Sequence, residues 1–135
     1  MKTLIVIVGP TGIGKTDLGV FLAQKLNTEI ISADSRQFYK ELKIGTAVPN
    51  EKQLTEAKHH FIGNISIHDY YNASIYEFAV IELLNRLFTI KETIILLGGS
   101  GMYIDAVCNG IDDLPDIDSE IRMKLQKKFE NEGVE

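Results

Sequence analysis

Apolar and polar positions change period several times along the chain, and each change marks an element. Residues 3–8, TLIVIV, form an unbroken β-rich run bounded by Gly9-Pro10, the pattern of a strand buried on both faces of a parallel sheet. From Lys15 the period shifts to three and four. Leu18, Phe21, Leu22 and Leu26 form a stripe that predicts a core-facing helix side ending near Asn27. TEIISAD, 28–34, reads as a second short buried strand that delivers Asp34 at its C-terminal end. Residues 49–58 read as a short exposed helix capped by Asn50, and HHFIGNI, 59–65, as a strand.

The pattern is clearest further on. Residues 72–88, NASIYEFAVIELLNRLF, place Ile75, Phe78, Ala79, Leu83, Leu84 and Leu87 on one side of a predicted helix, with Asn72 or Ser74 as cap. TIILLGGSG, 93–101, repeats the strand-into-glycine grammar of the N-terminus, and MYIDAVCNG continues as a helix stopped by Gly110. In the tail, Ile121, Leu125 and Phe129 recur at i, i+4, i+8 behind Asp118 or Ser119, the spacing of an amphipathic helix. Strands alternating with helices predict an α/β sheet that binds ligands at the C-terminal edge of its strands.

Composition narrows the function. The 135 residues are 44% apolar and 24% charged, enough for one domain with a real core. The longest purely apolar run, Leu4 to Val8, is far short of the ~20 residues that span a bilayer, so no membrane partner is expected. The N-terminal run enters the glycine loop without a cleavage site, which favours a first strand over a secretory signal. One cysteine, Cys108, excludes an internal disulfide and a Cys-rich zinc site, and a reducing cytoplasm is expected. A net charge of −5 with three arginines, Arg36, Arg86 and Arg122, argues against a dedicated nucleic-acid surface and against a DNA partner.

Residues 9–16, GPTGIGKT, match the P-loop pattern G-x-x-x-x-G-K-[ST] between a predicted strand and a predicted helix. Gly9, Pro10, Thr11, Gly12, Ile13, Gly14, Lys15 and Thr16 are therefore the candidate phosphate site. Its glycines let backbone N–H groups converge on phosphate oxygens, Lys15 adds a cation, and the Thr16 hydroxyl can ligate Mg²⁺. The loop alone does not say whether a phosphoryl group moves. Asp34 is a metal-side acid, a general base or a structural cap for the SRQFY that follows.

The stretch ISADSRQFYKELKIGTAVP, 31–49, strongly resembles the tRNA dimethylallyltransferases, in which a P-loop is followed by S-x-D-S-x-x-x-Y and I-G-T-A-x-P. The agreement continues in order through HHFIGNI, YNASIYEF, GGSGMYI and GIDDLPDIDSEIR. The resemblance implies a P-loop NTPase-like parallel sheet flanked by helices. It also implies transfer of a dimethylallyl group from dimethylallyl diphosphate to N6 of an adenine beside the anticodon of tRNA, with Mg²⁺ as cofactor. On that reading the loop holds diphosphate, Thr11 lies near the reacting end of the donor, Lys15 and Mg²⁺ on Thr16 stabilise the leaving group, and Asp34 takes the proton from the amine.

The same resemblance implies that Asp34, Ser35, Arg36 and Gln37 contact the flipped nucleotide, and that Ser100, more often threonine in the family, and Arg122 touch tRNA. Val48 stands where the family often carries lysine, which removes a phosphate contact. Other roles compete. Arg122 on an amphipathic helix is by default a solvated charge, Tyr39 packs in a core at least as readily as it stacks on a base, and structural or surface roles lead for His59 and His60. Family members are considerably longer, so residues 1–135 are expected to be the N-terminal part of the domain. These residues are expected to be monomeric, to bind diphosphate, and to have weak or absent transferase activity alone. The alternatives are a small-molecule or nucleotide kinase using ATP, an adenylate isopentenyltransferase, and a binding module without chemistry.

Overall fold

A computed structural model describes residues 1–112 and 119–133 of the protein. Its strands are β1 (Thr3–Val8), β2 (Ile30–Ser32), β3 (His59–His60) and β4 (Thr93–Gly98), and its helices α1 (Lys15–Leu26), α2 (Glu51–Glu56), α3 (Ala73–Leu87), α4 (Gly101–Asn109) and α5 (Ser119–Glu132). The strands form one parallel sheet in the order β1-β4-β2-β3, with Ile5 opposite Ile95 and Ile31 opposite Leu96. Parallel neighbours cannot be joined by tight hairpins, so the chain returns through helices. Val20 and Ala23 of α1 pack on Ile30, Ile95 and Leu97 on one face. Tyr76, Val80, Leu83, Leu84 and Leu87 of α3, with Ile104 and Val107 of α4, pack on Ile31, Ile94 and Leu96 on the other. The α/β class expected from the alternation is the observed one.

Several local signals are borne out. Asn50 caps α2 in a capping box: its side chain accepts from the Gln53 N–H at 2.9 Å while the Gln53 side chain accepts from the Asn50 N–H at 2.9 Å. Asn72 caps α3, accepting from the Ile75 N–H at 2.9 Å. Gly110 stops α4 at φ 82°, a left-handed conformation that favours glycine.

Other expectations are corrected. The buried face of α1 is Gly19, Val20 and Ala23, while Leu18, Phe21 and Leu26 are exposed. The helix lies so close to β4 that a Cβ on Gly19 would stand 2.3 Å from Leu97 Cδ1, and only the side with the smallest residues fits there. The core face of α3 is also rotated: Phe78 is 75% exposed and Ile75 is exposed, whereas Tyr76 is fully buried. Tyr76 stacks on Phe38 at 5.0 Å between ring centroids and donates its hydroxyl to the Ser32 carbonyl at 2.7 Å, and these contacts orient the helix.

Among the described strands β1 has only β4 beside it, and its Val6 and Val8 are exposed, so it is not buried along both faces as expected. The strand expected over 59–65 ends at His60. Phe61 at φ 61° and Gly63 at φ 56° cannot continue a ladder, and Ile65 meets Tyr39 in an isolated bridge. In the tail the helix is present with Ile121, Leu125 and Phe129 exposed. Asp118 and the side chain of Ser119, its two cap candidates, lie outside the described residues. No helix among the described residues is long and apolar enough to cross a membrane.

Candidate active site at the carboxyl ends of the strands

Three strands end together, and each end carries part of the site. β1 runs into the glycine loop, where Gly12 at φ 84° and Gly14 at φ 93° adopt left-handed conformations. Gly14 is the N-cap of α1 and offers no side-chain acceptor, so the first amides of α1 stay open to an anion. Lys15 Nζ donates to the Pro10 carbonyl at 2.6 Å and arches back across the loop. Gly9 precedes that arch, and Ile13 projects outward, exposed.

β2 and β4 come together at their ends because Gly98 has no side chain. A Cβ there would lie 2.2 Å from the Ala33 carbonyl oxygen, a backbone atom that has nowhere to move. The Ala33 N–H donates to Leu97 O at 2.7 Å and the Ser100 N–H to Ala33 O at 3.2 Å, so the β-ladder continues past its last strand residue to Asp34. One Asp34 carboxylate oxygen then accepts from the Arg36 N–H at 3.1 Å, and the Asp34 carbonyl accepts from the Gln37 N–H at 3.0 Å. This turn fixes Asp34 at the strand ends, where it lines a cavity together with the glycine loop.

Two of the cavities along this edge hold the expected residues. The first, about 290 Å³, is lined by Gly12, Gly14, Lys15 and Thr16 on one side and by Asp34, Ala47 and Val48 on the other. The second, about 440 Å³, is lined by Ser35, Arg36, Gly45, Thr46, Gly99 and Ser100. Thr11 and Asp34 line both. One cavity therefore lies over the open end of α1 and the other over the segment following β2, with Thr11 and Asp34 at their junction.

The expected residues divide among distinct positions. Asp34, Thr11, Lys15, Thr16, Ser35, Arg36 and Ser100 are brought to this edge. Gln37 also lines the first cavity, but it is only 7% exposed and its amide is engaged inside the chain. Its Nε2 donates to the carbonyls of Thr46 at 3.2 Å and Ala47 at 2.9 Å, and its Oε1 accepts from the Ser32 hydroxyl at 3.2 Å. Arg122 lines neither cavity; its guanidinium lies 5.5 Å from the Tyr70 ring centroid.

His59 bonds the Ala57 carbonyl through Nδ1 at 2.8 Å, and His60 bonds Glu29 at 2.6 Å, so both histidines have local partners. No cluster of three or more metal-ligating side chains occurs among the described residues.

Asp17 and Gln53 line the first cavity without having been expected there. Gln53 Nε2 donates to Asp17 Oδ1 at 2.6 Å, which ties α2 to the first turn of α1. The N-x-x-Q spacing from Asn50 is a capping-box signal that the sequence reading did not use, and the reach of Gln53 to α1 is a tertiary contact that no spacing encodes.

Known proteins share this sequence and fold. A family model described as IPP transferase matches residues 37–135. The tRNA dimethylallyltransferase 1 of Bacteroides thetaiotaomicron is 52% identical over 135 residues, all of this chain and 44% of that protein. The tRNA dimethylallyltransferase of Flavobacterium johnsoniae is 49% identical over the same length and is likewise covered to 44%. The solved structure of the tRNA isopentenylpyrophosphate transferase of Bacillus halodurans superposes with a TM-score of 0.80 at 30% identity, covering 98% of this chain and 44% of that one. A eukaryotic dimethylallyltransferase solved acting on tRNA gives a TM-score of 0.78 at 27% identity, covering 89% of this chain and 31% of that one. The chain thus spans less than half the length of the curated relatives it matches. With these matches across nearly all its length, it belongs to the IPP transferase family.

Proposed function

We propose that the complete protein to which these residues belong transfers a dimethylallyl group from dimethylallyl diphosphate to N6 of an adenine beside the anticodon of tRNA, releasing diphosphate. The observation that carries this reading is the pair of cavities that meet at Thr11 and Asp34. A group transfer without a phosphoryl intermediate needs such a geometry: an anion-binding chamber for the leaving group, an acceptor chamber, and a base at the boundary.

Cleavage of the allylic C–O bond builds negative charge on the diphosphate. The open amides at the start of α1 and the Lys15 ammonium supply donors and a cation where that charge develops. The adenine amine attacks carbon and must lose a proton, which the Asp34 carboxylate accepts. The adenine has to leave its stack to reach this depth, a cost that is smallest in a single-stranded loop. Ser35, Arg36 and Ser100 line the chamber it would enter.

Thr16 and Asp17 bring hard oxygen atoms to the phosphate chamber, the donor type that suits a magnesium ion. Thr16 would hold the ion, and the ion would neutralise charge on the diphosphate. Basic surface for tRNA is poorly supplied by residues 1–135, whose net charge is −5.

Calorimetric titration with dimethylallyl diphosphate and with ATP, each with Mg²⁺, tests the reading. Tighter binding of the prenyl diphosphate, together with prenyl transfer by the complete protein to an anticodon stem-loop, is the expected result. Preference for ATP with label transfer to a small acceptor would replace it with a kinase.

A further inference from the structure

We propose that Val48, with Ala47 and Leu97, forms the seat of the donor's hydrocarbon tail, and that Gln37 is the positioning residue that sets the height of this wall. The inference rests on reading the site as one for a prenyl diphosphate and extends that reading to donor selection. Among the residues lining the phosphate chamber, the apolar side chains are those of Ala47, Val48 and Leu97; the others are polar or glycine. The charged end of a donor is drawn to the open end of α1 and Lys15. Its reacting carbon must face the junction at Thr11 and Asp34, where the acceptor chamber begins. A short apolar tail leaving water then has Ala47 and Val48 to lie against, with the largely buried Leu97 beneath them.

Locally, among the described residues, that wall is held only by the bond of the Thr46 hydroxyl to the Leu42 carbonyl at 2.5 Å. Residues 45–48 form an irregular segment with Gly45 at φ 79° and Ala47 at φ 49°, and no ladder holds it. Instead the Gln37 amide grips the carbonyls of Thr46 and Ala47, while its own oxygen is pinned by Ser32 at the end of β2. Gln37 also closes the turn that begins at Asp34 through its N–H. The base and the apolar wall are therefore referred to the same residue, and their spacing limits how long a tail can lie between them.

The test uses the complete protein and compares dimethylallyl diphosphate, the ten-carbon geranyl diphosphate and inorganic diphosphate. Val48→Thr keeps the shape of the side chain but places a hydroxyl on the wall. It is expected to weaken dimethylallyl diphosphate binding roughly tenfold while inorganic diphosphate binds as before. Val48→Ala is expected to raise the kcat/KM of the ten-carbon donor relative to the five-carbon one by roughly tenfold.

Gln37→Leu, with its fold checked by near-UV circular dichroism, is expected to loosen the same donor ratio without altering affinity for inorganic diphosphate. A merely structural role would move all three ligands together. Equal changes for the prenyl and inorganic diphosphates, or an unchanged donor ratio in the Val48 variants, would overturn the proposal. Failure of the unmodified protein to transfer any prenyl group would instead sink the underlying functional reading, and this is visible before any variant is made.

Discussion

The Ser100 hydroxyl accepts a hydrogen bond from the Ser35 N–H at 2.8 Å and donates to the Ser35 hydroxyl at 3.0 Å, joining the glycine turn after β4 to the residue that follows Asp34. This pair holds one wall of the second cavity close to Asp34. Ser100→Ala removes both bonds and leaves the half-buried Ser35 N–H without its acceptor. A loss of about 1–3 kcal/mol is expected in the local fold, read as a raised KM for tRNA with donor KM little changed. Ser100→Thr keeps the hydroxyl and should stay near the unmodified protein.

Asp34→Asn preserves the turn, since an amide oxygen can still accept from the Arg36 N–H, but it cannot take up a proton at the pH of catalysis. Donor binding is expected to persist while the single-turnover rate falls by roughly 100- to 10,000-fold. Turnover that survives this change would remove Asp34 from the role of base.

Lys15→Ala deletes the loop cation and its bond to the Pro10 carbonyl. A hydrogen bond to a charged group contributes about 1.5–3 kcal/mol, so diphosphate affinity should fall roughly 10- to 100-fold. Calorimetry with inorganic diphosphate checks this directly, free of any effect on the acceptor.

Gly98→Ala and Gly19→Ala separate site geometry from packing. At Gly19 the new methyl meets the flexible end of Leu97, and overpacking of this kind costs about 1–3 kcal/mol. At Gly98 it meets the Ala33 backbone at 2.2 Å, so the Asp34 segment itself must shift. Urea unfolding should show both losses, but the Gly98 variant should lose turnover beyond what its remaining folded fraction explains.

His59 gives the fold a pH dependence. Burial pushes its imidazole below the usual 6.5, outweighing the raising effect of its bond to the Ala57 carbonyl, and the neighbouring His60 adds to the lowering. Its Nε2 is buried without a partner. The folded state prefers the neutral ring, so this contribution is complete above pH 6.5 and is lost as pH falls through the lowered folded value. Glu29 is also lowered, because bonds from His60 and Lys58 overcome its burial, but its contribution fades only below its usual 4.5. Urea midpoints at pH 7.5 and 5.5 should therefore differ, and His59→Gln should reduce the difference.

The glycine loop, the Asp34 turn, the helix starts at Asn50 and Asn72 and the helix stop at Gly110 were legible because each is a local event. A φ above zero calls for glycine, and a side chain of the right length two or three residues from an orphan amide caps it. Helix rotation is a different kind of quantity. The stripe Leu18, Phe21, Leu22, Leu26 has a helical period, yet α1 turned Gly19, Val20 and Ala23 inward because the sheet approaches too closely for anything larger. Tyr76 turned α3 in the same way through its stack on Phe38 and its bond to Ser32.

The edge position of β1 and the engagement of Gln37 with a segment nine and ten residues away were equally hidden, since both depend on which neighbour is present. The sequence by itself determined the elements, the phosphate loop and the base candidate, through backbone and capping preferences that act within a few residues. Only the tertiary structure decided which faces are buried, how strand ends converge into two joined cavities, and which polar groups are free to meet a ligand. Close packing and hydrogen-bond satisfaction are settled between segments far apart in the chain.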